Sequence, residues 1–441
     1  VGAGEVTEWR LVASLVVPVD PPGVVWAPGV VDVAGDRIRW AGPPTGAPPA
    51  PERVLELPGA LLPGLVNAHG HTPMTVLRGV GDGLPLERWL TEAIWPKEAR
   101  LVPDDVYWGM TLGAAELLRN GVTSTCETYF FDRALLDAAV DAGIRCVATP
   151  GILDLPERGR AWRWQAMLEA AMDLGAEQQG RAGLVSVGLG PHAPYSLPDD
   201  ALRAVGGAAR EAGLLLCIHL AETRGEVDQT RAARGCSPVR LLADLGVLDT
   251  PVLAAHGIWL DEQDVAELAR RGVAVAHCPQ SNAKLGSGTA PLLALLQAGV
   301  TVGLGTDGPA SNDDLDVLEE LRLAGLLARL QAGDPGAIQA AELVELATWG
   351  GARALRLPAG RLVPGCLADL VHLRLDDPRL VPLVRPEDLL VRLTWSAASS
   401  LVQDVWVGGR QVVRDGEVLT VDVPRARREV QARAERLAAR G

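Results

Sequence analysis

Histidine and lysine are scarce in this chain of 441 residues: it has seven histidines, and Lys97 and Lys284 are its only lysines. The six cysteines (Cys126, Cys146, Cys217, Cys236, Cys278, Cys366) are scattered, with no Cys-x-x-Cys pair. That spacing argues against a zinc ribbon or a disulfide framework. Four of them sit in or beside apolar runs, so they are expected to be buried thiols acting as small hydrophobes. No uninterrupted apolar run reaches the length of a membrane span, and no basic segment leads into an apolar one near the first residue. Both absences point to a cytoplasmic chain with no membrane partner. Positive charge is outnumbered, 41 Lys and Arg against 55 Asp and Glu, for a net charge of −14. Binding to nucleic acid depends on neutralising phosphates, so a nucleic-acid partner is disfavoured and a small neutral or cationic substrate fits better. Low-complexity segments are also absent.

What is present suits a large packed core: 48% of the residues are hydrophobic and 22% charged. From about residue 61 to 307, short runs rich in Val, Ile, Leu and Ala alternate with helical stretches, the pattern of a parallel sheet with helices outside. The runs fall at 61–69, 122–127, 144–149, 184–190, 214–219, 252–256, 273–277 and 300–307. Helical stretches lie between most of them, at 104–119, 134–142, 161–174, 198–212, 238–245, 261–271 and 290–298. Eight such strands predict an α/β fold, a (β/α)8 TIM-like barrel over residues 61–357. Residues 1–60 and 358–422 are different, rich in Val, Gly and Pro, with hairpin turn signals at Gly35-Asp36 and Gly408-Gly409. Neither has enough strands for its own core, so the two are expected to form one small β-sandwich domain around the inserted barrel. Residues 423–441 read as a charged, solvated helix.

The rare histidines fall where such a barrel does its chemistry. His69 and His71 close the first run, His219 the fifth, His256 the sixth and His277 the seventh, while Asp307 closes the eighth. His192 lies in the loop after the fourth. Barrel enzymes build their sites from the C-terminal ends of several strands. Alternate residues of an extended strand share a side, so His69 and His71 can reach one metal ion.

These segments resemble the amidohydrolase superfamily, in the branch of adenine-nucleoside deaminases, guanine deaminases and triazine hydrolases. The likeness rests on Pro63-Gly64-Leu65-Val66-Asn67-Ala68-His69-Gly70-His71, His219-Leu220-Ala221-Glu222-Thr223, Ala255-His256-Gly257, Ser281-Asn282-Ala283-Lys284 and Gly305-Thr306-Asp307-Gly308. It implies that His69, His71, His219 and Asp307 bind one divalent metal, zinc before iron. It also implies that Glu222 moves protons to a ring nitrogen, that Asp307 takes the proton of the attacking water, and that His256 hydrogen-bonds that water. Two carboxylates in different surroundings can hold the separate pKa values these roles need. Binuclear relatives carry a bridging lysine at the end of the fourth strand; neither lysine here falls there, so a single metal is expected. His277 is read as a supporting or structural residue, and His372 is given no role.

Pro96-Lys97-Glu98-Ala99-Arg100 resembles the segment in which methylthioadenosine/S-adenosylhomocysteine deaminases bind ribose hydroxyls, which makes Glu98 a substrate residue alongside Glu222. Gly190-Pro191-His192-Ala193-Pro194-Tyr195 resembles another substrate segment, placing His192 near the ribose or its 5′ group. One departure stands out. Where some of those enzymes have an arginine for the 5′ group, this chain reads Thr149-Pro150-Gly151, leaving Arg158, Arg160 or Arg163 as substitutes. The implied reaction is hydrolytic deamination of an adenine nucleoside, with methylthioadenosine, S-adenosylhomocysteine, 5′-deoxyadenosine, adenosine and aminodeoxyfutalosine as candidates and a homo-oligomer as the expected state. A guanine-type base deaminase or a triazine-type hydrolase on the same metal site stays open, as does a non-enzymatic scaffold.

Overall fold

In the computed structural model, which describes residues 8–154 and 162–439, the apolar run at 61–69 is divided between two sheets instead of forming one strand. Arg53–Pro63 belongs to an outer sheet, and Leu65–Gly70 (β1) opens an inner one. Gly64 is the joint. A Cβ at this position would lie 2.0 Å from Thr123 Oγ1, so only glycine lets the chain pass that close to the next strand while it changes sheets.

The inner strands continue with Val122–Glu127 (β2), Arg145–Ala148 (β3), Val185–Val187 (β4), Leu216–Leu220 (β5), Val252–His256 (β6), Ala274–His277 (β7) and Val302–Leu304 (β8). They pair in parallel as two four-stranded sheets, β1-β2-β3-β4 and β5-β6-β7-β8. Single bridges link the two at both edges, Gly70 with Asp307 and Leu189 with Leu216. Parallel strands need crossovers, and helices supply them: Pro103–Arg119 precedes β2, Asp132–Ala142 precedes β3 and Trp164–Gln178 precedes β4. One helix shows how the sequence sets its limits. Glu262–Arg271 starts at Asp261, whose carboxylate accepts from the Asp264 N–H at 2.9 Å, and stops at Gly272 with φ +67°; between them Val265 and Leu268 form the buried face. Between the strands, Ala68, Cys126, Cys217, Leu253 and Ala276 pack in one buried cluster. All six cysteines are free and five are buried, which accounts for their apolar settings.

The chain ends meet in one hydrogen-bonded sheet of eight strands. Its order is Glu417–Val418, Arg410–Arg414, Val402–Val407, Leu370–Arg374, Arg53–Pro63, Glu8–Val16, Gly29–Ala34, Arg37–Gly42. Both end segments contribute to it, as expected: Arg53–Pro63 pairs with Glu8–Val16 on one side and Leu370–Arg374 on the other, so hydrogen bonds join the two halves. At Gly408-Gly409 both φ values are positive, +55° and +73°, as a two-residue hairpin of matching twist requires. The helix Val423–Ala438 is not freely solvated as expected. It docks on Pro103–Arg119, burying Ala426, Val430 and Leu437, and Arg433 and Arg436 pair with the acids Asp104 and Asp105 at that helix's start. Among the described residues no helix is long and apolar enough to cross a membrane.

The outer sheet is tied to the inner strands by an ion pair. Arg145 on β3 donates two hydrogen bonds of 3.0 Å to Asp369, whose side chain is 1% exposed and also accepts from the Gly408 N–H at 2.6 Å. Removing one member of a buried pair leaves the other charge stranded. Asp369→Ala is therefore expected to lower unfolding free energy by about 3–5 kcal/mol, read as a fall in the guanidinium midpoint. Asp376→Ala, at the exposed pair with Arg374, should leave the midpoint nearly unchanged.

Candidate active site

Three imidazoles and a carboxylate converge at the C-terminal ends of β1, β5 and β8. His71 gives its Nδ1 to the Thr128 carbonyl, and His219 gives its Nδ1 to the His192 carbonyl at 2.7 Å. A carbonyl only accepts, so each Nδ1 carries the proton and each Nε2 keeps its lone pair. Those Nε2 atoms lie 3.3 Å apart, and Asp307 Oδ1 lies 3.3 Å from that of His71 and 3.6 Å from that of His69. His69 is fully buried, with Nδ1 3.7 Å from Cys217 Sγ and no hydrogen-bond partner on Nε2. An orphaned buried nitrogen, two further lone pairs and a carboxylate oxygen aimed at one point fit a divalent ion of the zinc type. The described residues with this property fall into two overlapping sets, His69–His71–His219 and His69–His256–Asp307.

Asp307 is held from behind. Its Oδ2 accepts from Ser281 at 2.6 Å and Ser311 at 2.8 Å, while Oδ1 faces the cluster. Its pKa is depressed; burial opposes this, but the imidazoles of His69 and His71 close to Oδ1 prevail. A reciprocal pair, Asn67 Nδ2 to Thr306 Oγ1 and Thr306 N–H to Asn67 Oδ1, both 2.9 Å, locks β1 to the turn that carries Asp307. Ala221, His256 and Asp307 all adopt positive φ, +52°, +71° and +58°. Such left-handed residues cost on the order of 1–3 kcal/mol each, and they mark places where the surroundings dictate the backbone.

Glu222 follows β5 and is 5% exposed. Burial, then the charge of Asp307, pushes its pKa up to about 8, so near neutral pH it holds a proton it can give away. His256 Nδ1 meets Asn282 Oδ1 at 2.9 Å, which turns Nε2 toward Glu222, 3.8 Å from Oε2. Burial lowers its pKa, so the ring is neutral.

A cleft opens over this cluster. It is lined by His71, His219, Glu222, His256 and Asp307 at one end, and Glu98 and His192 also reach its wall. Glu98, on the helix Trp95–Glu98, is largely buried and acts on the Tyr129 phenol, whose pKa is raised first by burial and then by that carboxylate. His192 has Nδ1 3.0 Å from Ser196 Oγ and its ring 5.0 Å from that of His219. Burial, with the neighbouring His71 and His69, lowers its pKa to about 4.

Of the residues named from the sequence, His71, Glu98, His192, His219, Glu222, His256 and Asp307 line this cleft, and His69 lies against His71, His219 and His256 beside it. His277 does not line it: it is buried, and burial lowers its pKa to about 4. His372 bonds Asp404 in the outer sheet at 2.7 Å, and Lys284 pairs with Asp313. Arg163 pairs with Asp154 at 2.6 Å, whereas Arg158 and Arg160 lie outside the described residues. Sequence reasoning missed the supports. The Ser281-Asn282 segment was visible as a motif without a task, but nothing in the order of residues marks Ser311, or the apolar wall of Leu86, Leu90 and Leu285.

Comparison with known proteins agrees with this geometry. The amidohydrolase family pattern matches residues 60–412. A 5-methylthioadenosine/S-adenosylhomocysteine deaminase of Pelotomaculum thermopropionicum is 40% identical over 96% of this chain and 97% of its own. A 5′-deoxyadenosine deaminase of Methanothermobacter thermautotrophicus is 41% identical over 85% and 87%. The crystal structure of an adenosine deaminase from Xanthomonas campestris with bound zinc superposes with a TM-score of 0.93 at 36% identity, covering 98% of each chain. With the family pattern covering residues 60–412 and a likeness to these enzymes along nearly its whole length, the chain belongs to the amidohydrolase family.

Proposed function

We propose that the protein is a metal-dependent hydrolase of C–N bonds in cyclic amidines, and specifically a deaminase of an adenine nucleoside with a modified 5′ position. The observation that carries this reading is the cleft itself, which joins the His/Asp cluster and Glu222 at one end to Glu98 and His192 along its wall. Relatives named for deaminating such nucleosides support it. Because two relatives named for different 5′ groups are 40% and 41% identical, identity does not rank the 5′ groups.

His69, His71, His219 and Asp307 would hold one ion, which we assign as zinc before iron on the strength of the nitrogen-rich ligand set and the zinc-bound neighbour. When bound, such an ion acts as a Lewis acid and makes water a nucleophile near neutral pH. The chain's own groups manage the protons. Asp307 accepts one from the attacking water through Oδ1, Glu222 delivers one to the ring nitrogen beside C6, and His256 hydrogen-bonds the oxygen that adds there. Asp307 then passes its proton to the amino group and Glu222 takes back the hydroxyl proton as the C=O forms, so the C–N bond breaks, ammonia leaves and both carboxyls return to their starting states. Glu98 accepts from the two ribose hydroxyls, chemistry suited to a carboxylate with two oxygens, and His192 stands beside the sugar. The same reading takes the two inner sheets as arcs of one closed (β/α)8 barrel over 61–357, supported by the bridges at both seams. It is set between outer segments 1–60 and 358–422, with 423–441 as a terminal helix. Six free thiols accord with a cytoplasmic setting.

Metal analysis should find one tightly held equivalent per chain, lost or greatly weakened in His71→Ala and Asp307→Ala, with activity abolished by chelation and restored by zinc. Two strongly bound equivalents in active protein would overturn the single-ion reading. Glu222→Gln should keep the metal yet lose turnover by about 10²–10⁴-fold. An absorbance assay for conversion of adenine to hypoxanthine should respond to at least one of methylthioadenosine, S-adenosylhomocysteine, 5′-deoxyadenosine, adenosine and aminodeoxyfutalosine. Free adenine and 2′,3′-dideoxyadenosine should be poor substrates, and Glu98→Ala should narrow that gap, since a site built for hydroxyls is left with unpaired groups when they are missing. If all adenosines are inert and guanine or a chlorotriazine turns over, the nucleoside assignment falls and the metal-hydrolase assignment stands.

A further inference from the structure

We infer that Glu226 is the positioning residue for the proton-delivering carboxyl, holding the turn between β5 and the next helix so that Glu222 points into the cleft. This rests on the reading of Glu222 given above. Glu226 is 6% exposed and lies in the first turn of the helix Arg224–Arg234. At the start of that helix, the Thr223 hydroxyl accepts from the Glu226 N–H at 3.1 Å, an ordinary cap. In the usual reciprocal arrangement the glutamate of the first turn reaches back to the capping residue's own N–H. Here the carboxylate reaches further: Oε2 accepts from the Glu222 N–H at 2.8 Å and Oε1 from the Ala221 N–H at 3.0 Å.

The two amides it holds flank the strained point of the loop. Ala221 has φ +52°, a conformation that a side chain disfavours. Its carbonyl is held as well, accepting from the N–H groups of Ile258 at 3.1 Å and Trp259 at 2.9 Å, just beyond His256. The peptide units around Ala221 are thus gripped from two sides, by Glu226 on the donor side and by the loop after β6 on the acceptor side. Without the grip on its amides, Ala221 is free to relax to negative φ, which swings Glu222 away from the ring it must protonate. Glu226 does not line the cleft, so its effect on substrate passes through Glu222.

The test is a double-mutant cycle with metal content and thermal midpoint measured on each variant. Glu226→Gln replaces one acceptor by an NH2 group that faces an N–H and cannot accept from it. It should lower kcat by about 10–100-fold with KM changed by less than about threefold, and with metal retained. In a Glu222→Gln background it should cost nothing further, because coupled residues are non-additive. Ala221→Gly placed beside Glu226→Gln should recover part of the lost kcat, since glycine adopts positive φ without strain. Glu226→Asp keeps the charge and serves if the amide variant does not fold. Its shorter side chain reaches only one amide, and a several-fold loss in kcat, again absent with Glu222→Gln, is expected. Additive losses in the cycle, an effect on KM alone, or loss of metal in step with activity would overturn the inference while leaving Glu222's role intact. A Glu222→Gln variant that keeps more than about half of wild-type turnover would overturn both.

Discussion

The rest of the active site depends on one electrostatic constraint, the crowding of lone pairs at a buried point. The Nε2 of His71 lies 3.3 Å from both the Nε2 of His219 and a carboxylate oxygen of Asp307, with the Nε2 of His69 beside them and without a hydrogen bond. Lone pairs that face one another in that arrangement repel, and a dry interior magnifies the repulsion. A divalent ion among them reverses its sign. The proposed zinc is thus as much a demand of the protein's electrostatics as of the reaction.

Holding such a cluster takes a framework that leaves no side chain a choice. The carbonyls of Thr128 and His192 select the tautomers of His71 and His219, two serines fix Asp307, and Asn282 turns His256. Left-handed backbone at Ala221, His256 and Asp307 shows the local cost of that order. It is sustained by the strand ladders beneath and by the outer sheet clamped on through Arg145 and Asp369. A rigid base with strained residues at its rim is how a barrel-type scaffold concentrates function at one end.

Chemistry and selectivity are separated along the cleft. The strand ends supply the residues of the proposed ion site and proton transfers, whereas Glu98, Trp89 and Trp95 come from the segment between β1 and the helix Pro103–Arg119. Insertions of this kind can change without disturbing the strands, which fits relatives of similar identity that are named for different 5′ groups.

The order of residues by itself determined a good deal. Histidines rare enough to count, each at the end of an apolar run, marked the candidate ligands, and the strand–helix rhythm predicted the inner sheets and most helix limits to within a few residues, because periodicity and capping are local properties. Only tertiary structure decided the rest. The run at 61–69 looked like one strand because hydrophobicity cannot reveal that Thr123 presses on Gly64 and divides it. That the two end segments share one sheet was legible, but which strand edges pair was not, because composition does not encode it. The terminal helix looked solvated because its charges meet their partners, Asp104 and Asp105, more than 300 positions away in the chain. For the same reason the supports of the site were invisible: Ser281 for Asp307, Asn282 for His256 and His192 for His219 each lie 26 or 27 residues from the group they hold. Hydrogen bonds of that span depend on where folding places each group, which neighbouring residues do not encode.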